Sequence, residues 1–150
     1  ILDSSASAVD QAYTGSAIYI SAGLGSGQLA NVTAYVGSSK TLTLTPAFTT
    51  TPNSSSSYHV GPKILITGDG TGAKAYANAG GGQLSHINMI NVGTGYSKAN
   101  VQISGTGGTG GKGVARLSPP GGHGSDPVGE LGGFNFQIAF AQANICAKNI

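Results

Sequence analysis

Apolar and polar residues alternate along much of the N-terminal part of the chain, the pattern of β-strands with one buried face. The alternation predicts strands over 17–20, 30–36, 41–45 and 58–60, separated by turns and loops rich in glycine and serine. Within 41–45, Leu42 and Leu44 share one face of the strand and threonines occupy the other. Before the first strand, residues 7–13 are expected to form one short helical turn.

The alternation continues in the second part of the chain. It predicts strands over 63–67, 73–77, 86–92, 100–104, 114–117 and 134–140. The last of these carries large apolar side chains on one face, which a sheet or a neighbouring chain must cover. No stretch keeps a 3.6-residue period long enough for a packed helix.

The predicted fold class is therefore all-β: two small antiparallel β modules, sandwich or barrel-like, with glycine-rich hairpins and one or two short helical turns. Gly61-Pro62 is the expected module boundary. We expect an N-terminal β module over 1–61, a glycine-rich β module over 62–133, and a C-terminal strand and tail over 134–150. The sequence starts at Ile1 with neither an initiator methionine nor a signal peptide, so we expect part of a longer polypeptide.

Composition narrows the class of protein. Only 8% of residues are charged and the net charge is +2, whereas about a quarter are charged in an average soluble domain. Gly supplies 26 positions, and Ser, Thr and Asn supply most of the polar ones, as in many adhesins, virion proteins and filament subunits. The lysines are scattered, which predicts no nucleic-acid partner, and the lack of a long apolar run predicts no membrane insertion. The single Cys146 excludes an intrachain disulfide.

Two glycine-rich segments are near misses of nucleotide-binding motifs. Residues 68–72 follow a predicted strand, but the alternating residues after them are not the helix that a dinucleotide site requires. We interpret them as a tight β-turn, in which Asp69 alone is far short of a calcium loop. Residues 105–113 lack the first glycine and the Ser or Thr of a phosphate-binding loop. They are expected to form a hairpin tip between the strands at 101–104 and 114–117.

The loop at 121–131 concentrates chemically active residue types. A hydrolase using His123 and Asp126, or a metal site, is one reading, but neither an oriented base nor enough ligands accompany them. The preferred reading is structural: Asp126 or Ser125 caps a short helical turn and Pro127 takes its first position. The predicted structural loop comprises Gly121, Gly122, His123, Gly124, Asp126, Pro127 and Glu130. No catalytic residue, cofactor or metal is predicted.

Two parts of the chain resemble phage structural proteins. Residues 6–15, 18–20, 23–27, 34–35 and 46–48 resemble a small β module that recurs in phage tail and other virion proteins. Residues 66–73, 90–96, 119–127 and 130–132 are similar to baseplate wedge proteins of contractile-tailed phages of the T-even and cyanophage type. The block 121–124 with the downstream Glu130-Leu131-Gly132 is the most specific part. The resemblance implies a structural role and supplies no catalytic residue.

The predicted function is thus that of a non-enzymatic virion structural protein, a baseplate wedge component or fragment that holds neighbouring subunits. Its expected partners are other virion or tail subunits, including copies of itself, and its expected location is the virion or otherwise the extracellular space. The alternative is a tail-fibre or decoration module that binds host-surface glycans. Sugar rings could stack on exposed tyrosines, for which the candidates are Tyr13, Tyr19, Tyr35, Tyr58 and Tyr96.

Overall fold

The computed structural model describes residues 1–80, 83–105, 108–119, 122, 126, 128 and 129. The chain divides into two compact units, Ile1–Leu117 and Ser118–Ile150. Among the described residues, helix occurs only at Val128 and Gly129, in the second unit. No helix in this part of the chain is long and apolar enough to cross a membrane.

Seven strands lie within the described residues of the first unit. They are β1 (Ser16–Ala22), β2 (Leu29–Val36), β3 (Thr41–Thr45), β4 (Ser57–Gly68), β5 (Lys74–Gly80), β6 (Gln83–Asn91) and β7 (Ala99–Ser104). Five of them form one sheet in the order β3-β2-β1-β4-β7, and β5 and β6 form a separate hairpin. All of these pairings are antiparallel. The predicted all-β fold with antiparallel sheets is confirmed.

The long strand β4 connects β7 to the rest of the larger sheet. Its first half pairs with β1, up to Ser16 opposite Pro62, and its second half pairs with β7, starting at Lys63 opposite Ser104. β4 therefore runs straight through Gly61-Pro62, where a module boundary is predicted. The division into 1–61, 62–133 and 134–150 stays a prediction.

The core of the first unit lies beside β1 and β2. Its buried side chains are those of Leu2, Ile18, Ala30, Val32 and Tyr35. Residues 1–15, which we call the N-terminal strap, cover this cluster: the N–H of Leu2 donates to the carbonyl of Lys40 at 2.8 Å. The strap thus supplies both a buried side chain and backbone hydrogen bonds to the sheet.

The β5–β6 hairpin packs against β4 at a glycine. A Cβ atom added at Gly61 would lie 2.6 Å from the carbonyl oxygen of Ala77, so only glycine permits this approach. The ring of Tyr19 on β1 stacks on that of Tyr76 on β5, with centroids 4.4 Å apart. These contacts bury Ala75 and Ala77 and extend the core.

Three local predictions differ in how they compare with the structure. Residues 7–13 form bends and turns rather than a helical turn. Isolated turn bonds, such as that from the Ala12 N–H to the Val9 carbonyl, alternate with bonds to the sheet, such as that from the Gln11 N–H to the Tyr35 carbonyl. The strand predicted over 114–117 is wrong: only Gly113 forms a bridge, to Val101, and Val114 is 87% exposed. The strand predicted over 134–140 lies outside the described residues.

Candidate functional site

Part of the predicted structural loop is described. Gly122 adopts a positive φ of 88°, and its N–H donates to the carbonyl of Pro119 at 2.9 Å. Asp126 Oδ1 accepts a hydrogen bond from the N–H of Gly129 at 3.0 Å, the arrangement expected of a residue that caps a helical turn. Outside the described residues lie Gly121, His123, Gly124, Ser125, Pro127 and Glu130. The role assigned to this loop stays a prediction.

The candidate tyrosines do not share one exposed surface. Tyr35 is fully buried, and Tyr13 meets its ring edge-on at 4.8 Å. The other three are half-buried at separate places: Tyr19 stacks on Tyr76, Tyr58 lies beside Asp3, and Tyr96 packs on glycines. Glycan binding stays a prediction, and these five tyrosines offer it no common platform.

The sequence reading missed two aromatic partners of Tyr19. His59 on β4 lies 5.2 Å from Tyr76, centroid to centroid, so the three rings form a group between the large sheet and the hairpin. All three are half-buried, which makes the group a packing contact between strands. Local alternation does not reveal this group: cross-strand pairing places Tyr19 opposite His59, and Tyr76 of the hairpin lies against both rings.

An ionised carboxyl anchors the start of the strap. Asp3 accepts hydrogen bonds from the Ser5 and Tyr58 hydroxyls and from the Ser5 N–H, which together lower its pKa to about 2. Burial, followed by the hydrogen bond to Asp3, raises the pKa of Tyr58 to about 12. Tyr58 therefore stays protonated and keeps donating to Asp3 across the neutral pH range.

The two glycine-rich turns at 68–73 and 92–98 hold each other, and we call them the glycine clasp. The backbones of Thr71 and Thr94 exchange two hydrogen bonds of 2.9 Å. The Tyr96 ring lies so close to Gly70 that an added Cβ atom there would be 2.4 Å from it. Gly93 approaches the opposite backbone equally closely, with a positive φ of 73°.

Asp69 closes the clasp through its side chain. Its carboxylate accepts from the N–H groups of Ser97 and Lys98, at 3.0 and 3.1 Å, and from the Ser97 hydroxyl. These hydrogen bonds lower the pKa of Asp69 to about 2, and the bond from the Ser97 hydroxyl has the largest effect. The carboxylate thus serves a loop-to-loop contact. The described residues contain no group of three His, Cys, Asp or Glu side chains placed to hold a metal ion.

The clasp is expected to loosen in strong acid. Because the pKa of Asp69 is lower in the folded protein than its ordinary value of 3.8, its stabilising effect is present above pH 3.8 and is lost as the pH falls through about 2. The amide shifts of Ser97 and Lys98, followed by NMR, should titrate with a midpoint near pH 2.

The variant Asp69→Asn supplies the control for this titration. It removes the ionisable group, so the acid transition of the Ser97 and Lys98 amides should disappear. The Ser5 amide, which bonds to Asp3 at 2.8 Å, should keep its own transition near pH 2. A midpoint for Ser97 near the ordinary value of 3.8 in the native chain would contradict the proposed bonding.

An internal repeat underlies the clasp and was missed in the sequence reading. Residues 64–68 read Ile-Leu-Ile-Thr-Gly and residues 101–105 read Val-Gln-Ile-Ser-Gly. In the β4–β7 ladder the equivalent residues Leu65 and Gln102 face each other, with the remaining pairs arranged symmetrically about them. The two copies are therefore related by a local two-fold axis. The shared spacing of glycines is the signal that could have revealed it.

The repeat continues beyond these strands and explains the wrong prediction at 114–117. Residues 71–75 read Thr-Gly-Ala-Lys-Ala and lead into β5, while residues 109–113 read Thr-Gly-Gly-Lys-Gly. β5 is a strand because β6 pairs with it along its length. Among the described residues, no strand pairs with 114–117 as β6 pairs with β5. The alternating residues 114–117 therefore do not form a strand.

Comparison of the chain with known protein families, curated proteins and solved structures found no match.

Proposed function

We propose that this protein is a non-enzymatic virion structural protein, a component or fragment of the baseplate wedge of a contractile phage tail. Support comes from the resemblance of residues 66–73, 90–96 and 119–127 to wedge proteins. Further support comes from the glycine clasp, in which Gly70, Gly93 and Asp69 hold two loops together. A subunit that transmits force between neighbours needs such loops to be rigid.

The observation that carries the proposal is an open groove of about 600 Å³ along β7. Its lining combines apolar and polar side chains, those of Leu65, Val101, Ile103 and Val114 with those of Lys63, Gln102, Ser104 and Lys112. Leu65 is 42% exposed and Val114 is 87% exposed. Exposed apolar surface rimmed by polar side chains marks contacts with other macromolecules. The proposed occupant is an apolar surface of a neighbouring tail subunit.

The low charge of the chain suits permanent assembly. With 8% charged residues, the surface provides little electrostatic steering or repulsion, so contacts depend on shape, apolar area and backbone hydrogen bonds. Obligate interfaces between subunits have this character, and they are more apolar than transient ones.

Cryo-electron microscopy and mass spectrometry of the source particles test the proposal directly. Peptides of this chain should be found in purified tails, and its five-stranded sheet should fit density in the baseplate. Recovery of the chain only as a free protein, in lysates that also contain complete tails, would overturn the proposal.

A pair of matched variants tests the groove. Leu65→Lys places a third ammonium group in the groove beside Lys63 and Lys112. It should reduce incorporation of the subunit into tails by roughly tenfold or more, since burying an unpaired charge costs several kcal/mol. Leu24, 47% exposed in the turn after β1, is the control, and Leu24→Lys should assemble normally. Equal incorporation of both variants would show that neighbours do not occupy the groove.

A further inference from the structure

Strand β3 forms one edge of the five-stranded sheet. It pairs with β2 from Val36 opposite Thr41 to Asn31 opposite Thr45, with a register shift between Val32 and Ala34 of β2. Within the described part of the chain, no strand pairs with its other side. Such an edge presents unpaired backbone N–H and C=O groups to a further strand.

The backbone groups on the open side belong to the leucines. The carbonyl of Thr43 accepts a hydrogen bond from the Thr33 hydroxyl on β2 at 3.2 Å, so Thr43 directs its backbone polar groups towards β2. In an antiparallel ladder, successive residues direct these groups to opposite sides. The N–H and C=O groups of Leu42 and Leu44 therefore face outward from the sheet.

Charge and proline are absent from β3 itself. Natural edges carry charged side chains, proline or bulges that discourage pairing with another chain. Residues 41–45 contain neither charge nor proline, and Pro46 follows the strand. The irregularity in this strand pair lies on β2, between Val32 and Ala34, and every residue of β3 keeps a partner. The neighbouring Lys40 does not guard the edge, because its ammonium group donates to the carbonyls of Ala6 and Ser7 in the strap, at 2.8 and 3.0 Å.

The sequence of β3 is a palindrome, Thr-Leu-Thr-Leu-Thr, centred on Thr43. Antiparallel pairing with an identical strand about this centre places like with like under a two-fold axis, which is the symmetry of most protein dimers. We propose that β3 is a self-association surface, at which the strand pairs in register with β3 of a second copy of this chain.

The open backbone groups fit this register. With Thr43 opposite Thr43 of the second copy, each Leu42 lies opposite a Leu44 and the two exchange a pair of backbone hydrogen bonds. The two leucine pairs use all of the outward N–H and C=O groups of these residues. Shifting the register by one residue would place leucines opposite threonines and break this match.

The leucine and threonine faces of β3 also match those of the second copy across the two-fold axis. Leu42 and Leu44 are half-buried against the core cluster, and in the dimer they meet the equivalent leucines of the second copy. The exposed threonines form a matching row on the opposite face, where cross-strand threonine pairs are favourable. Two five-stranded sheets thereby become one continuous sheet. This inference goes beyond the proposed function and does not depend on it, since a purified chain can self-associate whatever particle it comes from.

A charge exchange at Thr43 tests the proposal. The variants Thr43→Lys and Thr43→Glu each place two like charges opposite each other at the axis, and both side chains lie on the exposed face. Sedimentation equilibrium should show the native chain as a dimer and each variant as a monomer, a change of about twofold in mass. An equimolar mixture of the two variants should restore the dimer.

The matched control is Thr67→Lys, at an exposed threonine on β4, which is paired with β7 at that point. It should remain a dimer, and all variants should keep the circular dichroism spectrum of the native chain. A native chain that stays monomeric over the whole concentration range overturns the proposal. So does a Thr43→Lys variant that dimerises, or a Thr67→Lys variant that does not.

Disulfide trapping tests the register independently. In a Cys146→Ser background, Thr43→Cys places two thiols at a facing pair whose Cα atoms are about 4.5 Å apart, within reach of a disulfide. Thr41→Cys places them about 13 Å apart across the axis, which a disulfide cannot bridge. Mild oxidation should therefore cross-link only the first variant, and equal cross-linking of both would overturn the in-register pairing.

Discussion

Replacing Tyr35 with alanine is expected to lower the free energy of unfolding of the unit Ile1–Leu117 by about 3–5 kcal/mol, the range for removal of a large buried aromatic side chain. Tyr35 is 0% exposed and is among the largest fully buried side chains described. Its ring meets that of Tyr13 edge-on, and its hydroxyl donates to the carbonyl of Ser7 at 2.5 Å. The substitution therefore leaves a cavity and also removes one of the hydrogen bonds that hold the strap.

The variant Tyr35→Phe separates these two effects. It keeps the ring and its contact with Tyr13 but removes the hydroxyl, so the expected loss is only about 1 kcal/mol, that of one hydrogen bond. The carbonyl of Ser7 is not left unpaired, because Lys40 also donates to it at 3.0 Å. Urea unfolding followed by circular dichroism measures both variants, and similar losses for the two would show that the ring does not organise the core.

The second large effect is expected at Gly93 in the glycine clasp. A Cβ atom added there would lie 2.5 Å from the carbonyl oxygen of Thr71 and 2.6 Å from the backbone nitrogen of Ala73. Both are backbone atoms and cannot rotate away. The variant Gly93→Ala should therefore lose about 1–2 kcal/mol for its positive φ and roughly 1–3 kcal/mol more for the overlap.

Gly72, in the opposite turn of the clasp, provides a matched control. Its φ of 82° is close to that of Gly93, but the nearest atom to an added Cβ is 3.8 Å away. The variant Gly72→Ala should lower the free energy of unfolding by only about 1–2 kcal/mol, the cost of the positive φ. Comparison of the two unfolding free energies isolates the close contact between the turns. Equal losses would mean that the turns separate at low cost, contrary to the clasp described here.

Much of the fold followed from the local pattern of residues. Alternation located β1, β2, β3 and β7 to within a residue or two of their observed bounds. In β3 and β7 half-buried and exposed residues alternate strictly, whereas β1 is buried on both faces from Ser16 to Ile18. The same rule failed at 114–117, which alternates but has no pairing partner among the described strands. Period-two alternation is necessary for a half-buried strand, but pairing is what makes a strand form.

The site predictions depended more on distant contacts. The rejection of a nucleotide site at 68–72 rested on a missing helix, and the structure places β5 there. The use of the Asp69 carboxylate could not be predicted, since its partners Ser97 and Lys98 lie far along the chain. Nor could alternation tell which tyrosine would be buried: Tyr35 and Tyr58 both lie in strands, but only Tyr35 is fully enclosed.

The sequence alone determined the β character of the chain, the turns at its glycines and the low charge of its surface, because these follow from each residue's own geometry and chemistry. It also contained the palindrome of β3. Only the tertiary structure decided that β3 lies at an edge, that β4 joins two sets of neighbours, and that two glycine turns meet. These features depend on contacts between distant residues, which are selected by the packing of the whole unit and have no signature in any short window of sequence.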